Sequence, residues 1–282
     1  MRNGKPHHHK HFKHEKRGNN PRDKKVLKPL PIAQGMDETK GGSHWLYGFH
    51  ALESALQNPT RKFRRLIHTG SKTKPDTFER SDLPAWELVS AQEIHALLPK
   101  DAVHQGIAAL TDPLDEPELE AICQTLAEKK NGLLLLLDQV TDPHNVGAIM
   151  RSSAAFGADA VILTERHAAP QSGVLAKAAS GALDVIPLCR VTNLARAIEM
   201  IKEAGFWCVG LAGEAEKELG EIDLKGKIAL ILGSEESGLR RLTRENSDFL
   251  ARLPTQGSID QLNVSNAAAI ALYEVKRQQA PR

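Results

Sequence analysis

Leu133-Leu134-Leu135-Leu136-Leu137-Asp138-Gln139-Val140-Thr141-Asp142-Pro143-His144-Asn145-Val146-Gly147-Ala148-Ile149-Met150-Arg151 is the stretch that decides how this chain is read. Its leucine run falls far short of the roughly 20 apolar residues needed to cross a bilayer. Bounded by Gly132 and Asp138, it reads as a buried parallel strand. The polar turn after it contains Pro143, and Asn145 can cap a helix whose first turn holds Gly147. Arg151 then lies about one and two-thirds turns beyond Asn145. Open α/β sheets bind ligands where a strand feeds a loop and a helix. The stretch therefore predicts an active site as well as a strand.

The same alternation continues outward. Helices are expected over 118–129, 146–156, 172–179, 193–204 and 263–278, with another after the glycine turn at 233–238. Strands are expected over 133–137, 160–163, 185–188, 207–211, 227–232 and 249–253. Such alternation predicts an α/β fold whose mostly parallel sheet is covered on both faces. Upstream, His44–Leu110 reads as a smaller α/β module. Leu46, Tyr47 and Phe49 lead into Leu52, Ala55 and Leu56 at helical spacing. Strands at Phe63–Thr69, Trp86–Val89 and Gly106–Leu110 surround a helix at Ala91–Leu98. Asp112-Pro113 to Glu116-Pro117 has the acidic, proline-bearing character of a domain boundary. The expected division is an arm at 1–42, a small domain at 43–112, a linker and first helix at 113–130, and a larger domain at 131–282. A chain of 282 residues can afford both cores.

Charge is unevenly spread. Residues 1–28 hold ten Lys or Arg against two acids, a balance of +8 that leaves −6 for the rest of a chain whose net charge is +2. A basic arm on a mildly acidic body predicts a polyanionic partner, nucleic acid above all. His7, His8, His9, His11 and His14 stand in that arm, without the fixed spacing of a metal site. The arm lacks periodic apolar positions and is expected to be disordered. No signal peptide or membrane span is evident. Cys123, Cys189 and Cys208 form no CxxC pair, which argues against a disulfide framework or structural zinc and for reduced core thiols in a cytoplasmic protein.

Two further loops carry unusual polar groups. In Leu232-Gly233-Ser234-Glu235-Glu236-Ser237-Gly238-Leu239-Arg240, Leu239-Arg240 stands where a phosphate loop needs Lys-Ser/Thr, and the two glutamates would repel phosphate. No GxGxxG follows an expected strand, which weighs against a dinucleotide enzyme. An acidic glycine turn suits a ligand with amine or hydroxyl donors. The third block, Leu253-Pro254-Thr255-Gln256-Gly257-Ser258-Ile259-Asp260-Gln261-Leu262-Asn263-Val264-Ser265-Asn266, leads into an alanine-rich helix suited to close packing.

In this order the three blocks resemble the signature motifs of the SpoU/TrmH family of RNA ribose 2′-O-methyltransferases. Tyr47-Gly48-Phe49-His50 and Val103-His104-Gln105-Gly106-Ile107 are similar to that family's small L30e-like RNA-binding domain. Val191-Thr192-Asn193-Leu194-Ala195-Arg196 and Arg240-Arg241-Leu242-Thr243-Arg244-Glu245 further resemble its branch acting on guanosine of bacterial 23S rRNA. The resemblance implies a SPOUT α/β fold with a carboxyl-terminal trefoil knot, which alternation alone does not predict. It implies S-adenosylmethionine as cofactor, a homodimer with its active site near the subunit interface, and 23S rRNA or a ribosomal precursor as partner. The knot would comprise Leu211–Gly213, Gly233–Gly238 and Leu253–Asn263. Leu211, Gly213, Gly233, Leu253 and Leu262 would contact the cofactor.

Asn145, Arg151, Glu235 and Asn263 would be catalytic, with Gln261 and Ser265 positioning the substrate. Two positions depart from the pattern. Gln261 stands where Ser is common, and Glu236 where Gly is common, a constraint if that position needs positive φ. No metal is implied. The resemblance gives Arg151 the activation of the 2′-hydroxyl. Because arginine stays protonated, its chemistry favours a clamp on phosphate and developing alkoxide. Asn145 and Glu235 would orient it and the ribose, and Asn263 would close the site. Methylation of tRNA, or RNA binding without catalysis, are the alternatives.

Overall fold

The computed structural model describes Met1 and residues 42–70, 80–166, 168–257 and 261–280. Apart from Met1 and Gly42, the arm expected at 1–42 lies outside them.

Two sheets are present among these residues. In the smaller, β1 (His44–Tyr47), β2 (Phe63–His68), β3 (Trp86–Leu88) and β4 (Ile107–Thr111) lie in the order β1-β4-β2-β3. β4 pairs antiparallel with both β1 and β2. Helices α1 (Phe49–Gln57) and α2 (Ala91–Leu97) accompany this sheet. Strand β1 was not anticipated, because its apolar residues merge with the helical pattern after Gly48. Its partner β4 comes from far along the chain and cannot be seen locally.

The larger sheet follows α3 (Leu119–Leu126). Its strands are β5 (Gly132–Asp138), β6 (Ala160–Thr164), β7 (Leu188–Val191), β8 (Trp207–Leu211), β9 (Lys217–Glu218), β10 (Lys227–Gly233) and β11 (Phe249–Arg252). They lie in the order β7-β6-β5-β10-β8-β11-β9, and every neighbouring pair is parallel. Helices α4 (Pro143–Ala155), α5 (Gly173–Ala179), α6 (Leu194–Glu203), α7 (Arg241–Asn246) and α8 (Val264–Gln279) complete it. The strand expected at 185–188 instead starts at Leu188. Its apolar lead-in forms a short helical turn at Ala182–Asp184, and Pro187 lacks the N–H to extend the ladder.

The leucine run is central and buried throughout. Leu133, Leu135 and Leu137 pack with residues of α4, α5 and α8, whereas Leu134 and Leu136 pack with residues of α3 and α6. A leucine so enclosed contributes about 1.5–3 kcal/mol, which fixes β5 in the interior of the sheet, between β6 and β10.

The small sheet does not stand apart from the large one. Leu46, Leu52, Leu66 and Ile107 share one core with Leu175, Ala176 and Ala179 of α5. An ion pair locks this seam. Arg61 Nε and one of its Nη groups donate to the two carboxylate oxygens of Asp184 at 2.7 and 2.9 Å, and Asn58 donates to the same group at 3.1 Å. The other Nη of Arg61 donates to the Asp112 carbonyl at 3.2 Å. Nearby, Gln105 takes a left-handed φ of 56° and its Oε1 accepts from Phe49 N at 2.9 Å and Lys177 Nζ at 3.2 Å. Burial holds the Lys177 ammonium below its usual pKa.

Helix α5 in turn presses on α4 at Gly147. A Cβ there would come within 2.5 Å of the Ala178 Cβ and 2.7 Å of the Leu175 carbonyl oxygen. The small sheet, α5 and α4 are thus packed in series.

Candidate active site

Helix α4 begins earlier than expected and has a different cap. Asp142, not Asn145, caps it by accepting from His144 N at 2.9 Å, and Pro143 fills the first helical position, where its missing N–H costs nothing. Asn145 therefore lies inside the first turn, with its amide free to face the neighbouring loops.

Those loops bring two partners. Asn145 Nδ2 donates to Glu235 Oε1 at 3.1 Å, and Asn263 Nδ2 donates to the same oxygen at 2.6 Å. Asn263 Nδ2 also donates to Asn145 Oδ1 at 3.0 Å, and the backbone N–H of Val264 approaches Glu235 Oε1 at 3.3 Å. Asn263 is itself the cap of α8, its Oδ1 accepting from the Ser265 backbone and hydroxyl. Three segments remote in sequence converge on one carboxylate oxygen. The outcome is an acidic, hydrogen-bonded corner that can orient a hydroxyl or an amine.

Arg151 is not part of that network. It lies exposed on α4 and makes no hydrogen bond or ion pair with the described residues. The expectation that Asn145 and Glu235 orient it is thus not met in this geometry. Six residues of α-helix rotate a side chain about 120° away and carry it about 9 Å along the axis. Its guanidinium keeps its five donors for a ligand.

The glycine turn is tightly closed. A Cβ on Gly233 would fall 2.1 Å from the Gly238 carbonyl carbon, and Gly238 N donates to Ser234 O at 2.9 Å. Gly238 carries the positive φ of 63°; Glu236 is not among the residues in that region, so its departure from the family pattern strains nothing. Leu253 packs against the main core, Leu211 is half-buried at the end of β8, and Leu262 is exposed. Nothing lies near a Cβ on Gly213. Gln261 is exposed and stands outside the Asn145–Glu235–Asn263 network. The open backbone at Gly213, apolar side chains and a carboxylate together fit a cationic adenosyl sulfonium.

At the foot of this turn the buried Asp138 and Thr243 meet the half-exposed Arg240, a cluster that was missed as a site feature. A carboxylate ending a strand buried along its whole length was the available signal. The three thiols are buried as expected, and burial pushes Cys189 and Cys208 up to about 12.

Residues 132–273 match the family described as the SpoU rRNA methylase family. The chain belongs to it. Residues 45–117 match a second description, RNA 2′-O ribose methyltransferase substrate binding. Among relatives of this SpoU chain, the 23S rRNA (guanosine-2′-O-)-methyltransferase RlmB of Pseudomonas aeruginosa is 42% identical over 246 residues, covering 85% of this chain and 99% of the relative. The RlmB of Escherichia coli K12 is 36% identical over 247 residues, covering 84% and 100%. A solved RNA 2′-O ribose methyltransferase aligns with TM-score 0.69 at 25% identity, covering 84% of this chain and 89% of its own. An AdoMet-bound rRNA methyltransferase from Sinorhizobium meliloti shares the fold, with TM-score 0.71 at 24% identity and coverage of 85% and 89%.

Proposed function

We propose that this chain transfers the methyl group of S-adenosylmethionine to the 2′-hydroxyl of a guanosine ribose in 23S rRNA. The observation that carries this reading is the meeting of Asn145, Asn263 and Val264 N on Glu235 Oε1 in a SpoU-family chain. Near-full-length similarity to RlmB proteins supports guanosine of 23S rRNA over tRNA as the substrate.

When bound, the cofactor supplies a methyl group on a good leaving group, so the protein's task is to prepare the hydroxyl. Gly233 and the half-buried Leu211 and Leu253 form the cofactor wall in this reading, with Gly213 and Leu262 at its rim. Glu235, its Oε1 held by three donors, presents Oε2 to the ribose or to the cofactor's cationic end. Asn145 and Asn263 keep that carboxylate still. Arg151 reaches the RNA from its exposed position as a clamp on phosphate and developing alkoxide, where a preorganised charge acts most strongly. Ser265 and Gln261 flank the same mouth.

The order of the strands supports a knot. The chain passes from β8 outward to the edge strand β9, inward past β8 to β10, and outward again to β11 between β8 and β9, and α8 then packs on α4. The small sheet, with Gln105 and Gly48 at its junction with α5, is read as an L30e-like RNA-binding domain, and the basic arm as added affinity for a polyanion. A homodimer is supported by α8, where Ile270 and Tyr273 are 45% and 56% exposed on one face. No helix among the described residues is long and apolar enough to cross a membrane, in keeping with a cytoplasmic enzyme.

The test is methyl transfer from labelled S-adenosylmethionine to undermethylated 23S rRNA, with tRNA as competitor and the ribose position mapped. The expected product is one 2′-O-methylguanosine. Arg151→Ala is expected to lower kcat by at least about 100-fold while cofactor affinity is kept. Label in tRNA alone, or none in either RNA, overturns the proposal.

A further inference from the structure

Asp138 ends β5 with its carboxylate fully buried, on the face of the sheet occupied by α7. Oδ1 accepts from Arg240 Nε at 2.6 Å. Oδ2 accepts from the Arg240 backbone N–H at 3.0 Å and from the Thr243 hydroxyl at 2.7 Å. Asp138 is also the ladder partner of Gly233. One residue therefore grips both ends of the turn that runs from Gly233 to Arg240.

That turn has little freedom of its own. Gly233 has no room for a Cβ, Ser234 and Gly238 bridge it, and the hydroxyls of Ser234 and Ser237 meet at 2.7 Å. A stiff loop anchored at its base transmits the position of the base to its tip. The tip carries Glu235, whose Oε1 must reach Asn263 Nδ2 at 2.6 Å and Asn145 Nδ2 at 3.1 Å.

We propose that Asp138 is a positioning residue for methyl transfer, holding the Gly233–Leu239 loop through Arg240 and Thr243 so that Glu235 meets Asn145 and Asn263. This rests on the function proposed above. Asp138 touches neither RNA nor cofactor in this role. Its buried charge is satisfied by donors from the loop's exit, so loop position and charge satisfaction are one equilibrium.

Asp138→Asn tests it. The change preserves shape but sets an amide N–H against Arg240 Nε. Misplacement of about 1 Å at a reacting group costs on the order of 100-fold, so kcat is expected to fall by about that factor with KM for RNA little changed. Hydrogen exchange, which needs no RNA, should quicken at amides 234–240 and stay slow at Leu134–Leu137. Arg240→Gln should act in the same direction, and the double variant should lose no more than Asp138→Asn alone. Thr243→Val, a milder change, covers the case in which Asp138→Asn fails to fold, and should lower kcat by about tenfold. Unchanged loop exchange, or additive losses in the cycle, would overturn the role of Asp138. Absence of methyl transfer by the unaltered protein would instead sink the proposed function, leaving the exchange result to decide the clamp.

Discussion

Two arginine–aspartate pairs, Arg61–Asp184 and Arg240–Asp138, have nearly equal Nε–Oδ1 distances of 2.7 and 2.6 Å and differ in what surrounds them. At the seam, the side chains of Arg61 and Asp184 are 0% and 2% exposed. At the glycine turn, Asp138 is 0% exposed but Arg240 is 45% exposed. The first pair is sealed between two sheets and has no solvent to fall back on. The second keeps one foot in water, which screens it and lets its arginine exchange partners. A sealed pair fixes a joint between domains, whereas a half-open pair anchors the base of a loop. The molecule places the sealed pair where the small sheet's domain meets the turn at Ala182–Asp184, and the half-open one at the base of the glycine turn that carries Glu235.

The comparison is broken most directly by Arg61→Ala. It leaves Asp184 buried without its cation, and the expected loss is about 3–5 kcal/mol of stability in urea or guanidinium unfolding. A loss comparable with a surface pair would show that water reaches the seam.

Acid probes the same region. His44 is buried beside Arg61, and desolvation together with that cation lowers its pKa to about 4, while Gly42 and Asp112 pull the other way. The folded protein keeps this ring neutral where the unfolded chain protonates it near 6.5. Its contribution is therefore complete above about pH 6.5 and is lost as pH falls toward 4, by roughly 3 kcal/mol. Unfolding midpoints at pH 7 and 4.5 should separate by that order, and His44→Phe should narrow the gap.

Arg240→Ala is expected to have the smallest effect on stability, about 1–2 kcal/mol, because Thr243 and a backbone N–H still serve Asp138. Its effect should appear in kcat instead. A stability loss as large as that of Arg61→Ala would erase the distinction between the two pairs.

Much of this was legible in the chain itself. The run Leu133–Leu137 announces β5 because an unbroken apolar stretch closed by Gly132 and Asp138 reads as a strand buried on both faces, as Ile228–Leu232 does for β10, and Asn145, Glu235 and Asn263 stand in blocks whose order marks the site. What could not be read was geometry across distance. Arg61 and Asp184 are 123 positions apart and belong to no motif. Asn145 looked like a cap because it precedes an apolar run, yet Asp142 before Pro143 is the better one, and this frees the Asn145 amide for Glu235. Arg151 was expected beside those groups, but helical rotation sends it elsewhere.

The core shared by Leu46, Leu52 and Ile107 with Leu175 and Ala179 has a thermodynamic consequence. Two domains joined by a tether would melt in two steps, each with its own midpoint. Here the small sheet cannot let go without exposing the face of α5 that also supports α4. The described body should therefore denature as one cooperative unit, with a single calorimetric transition. Damage to the small sheet would then be felt as a lowered melting temperature of the larger sheet as well.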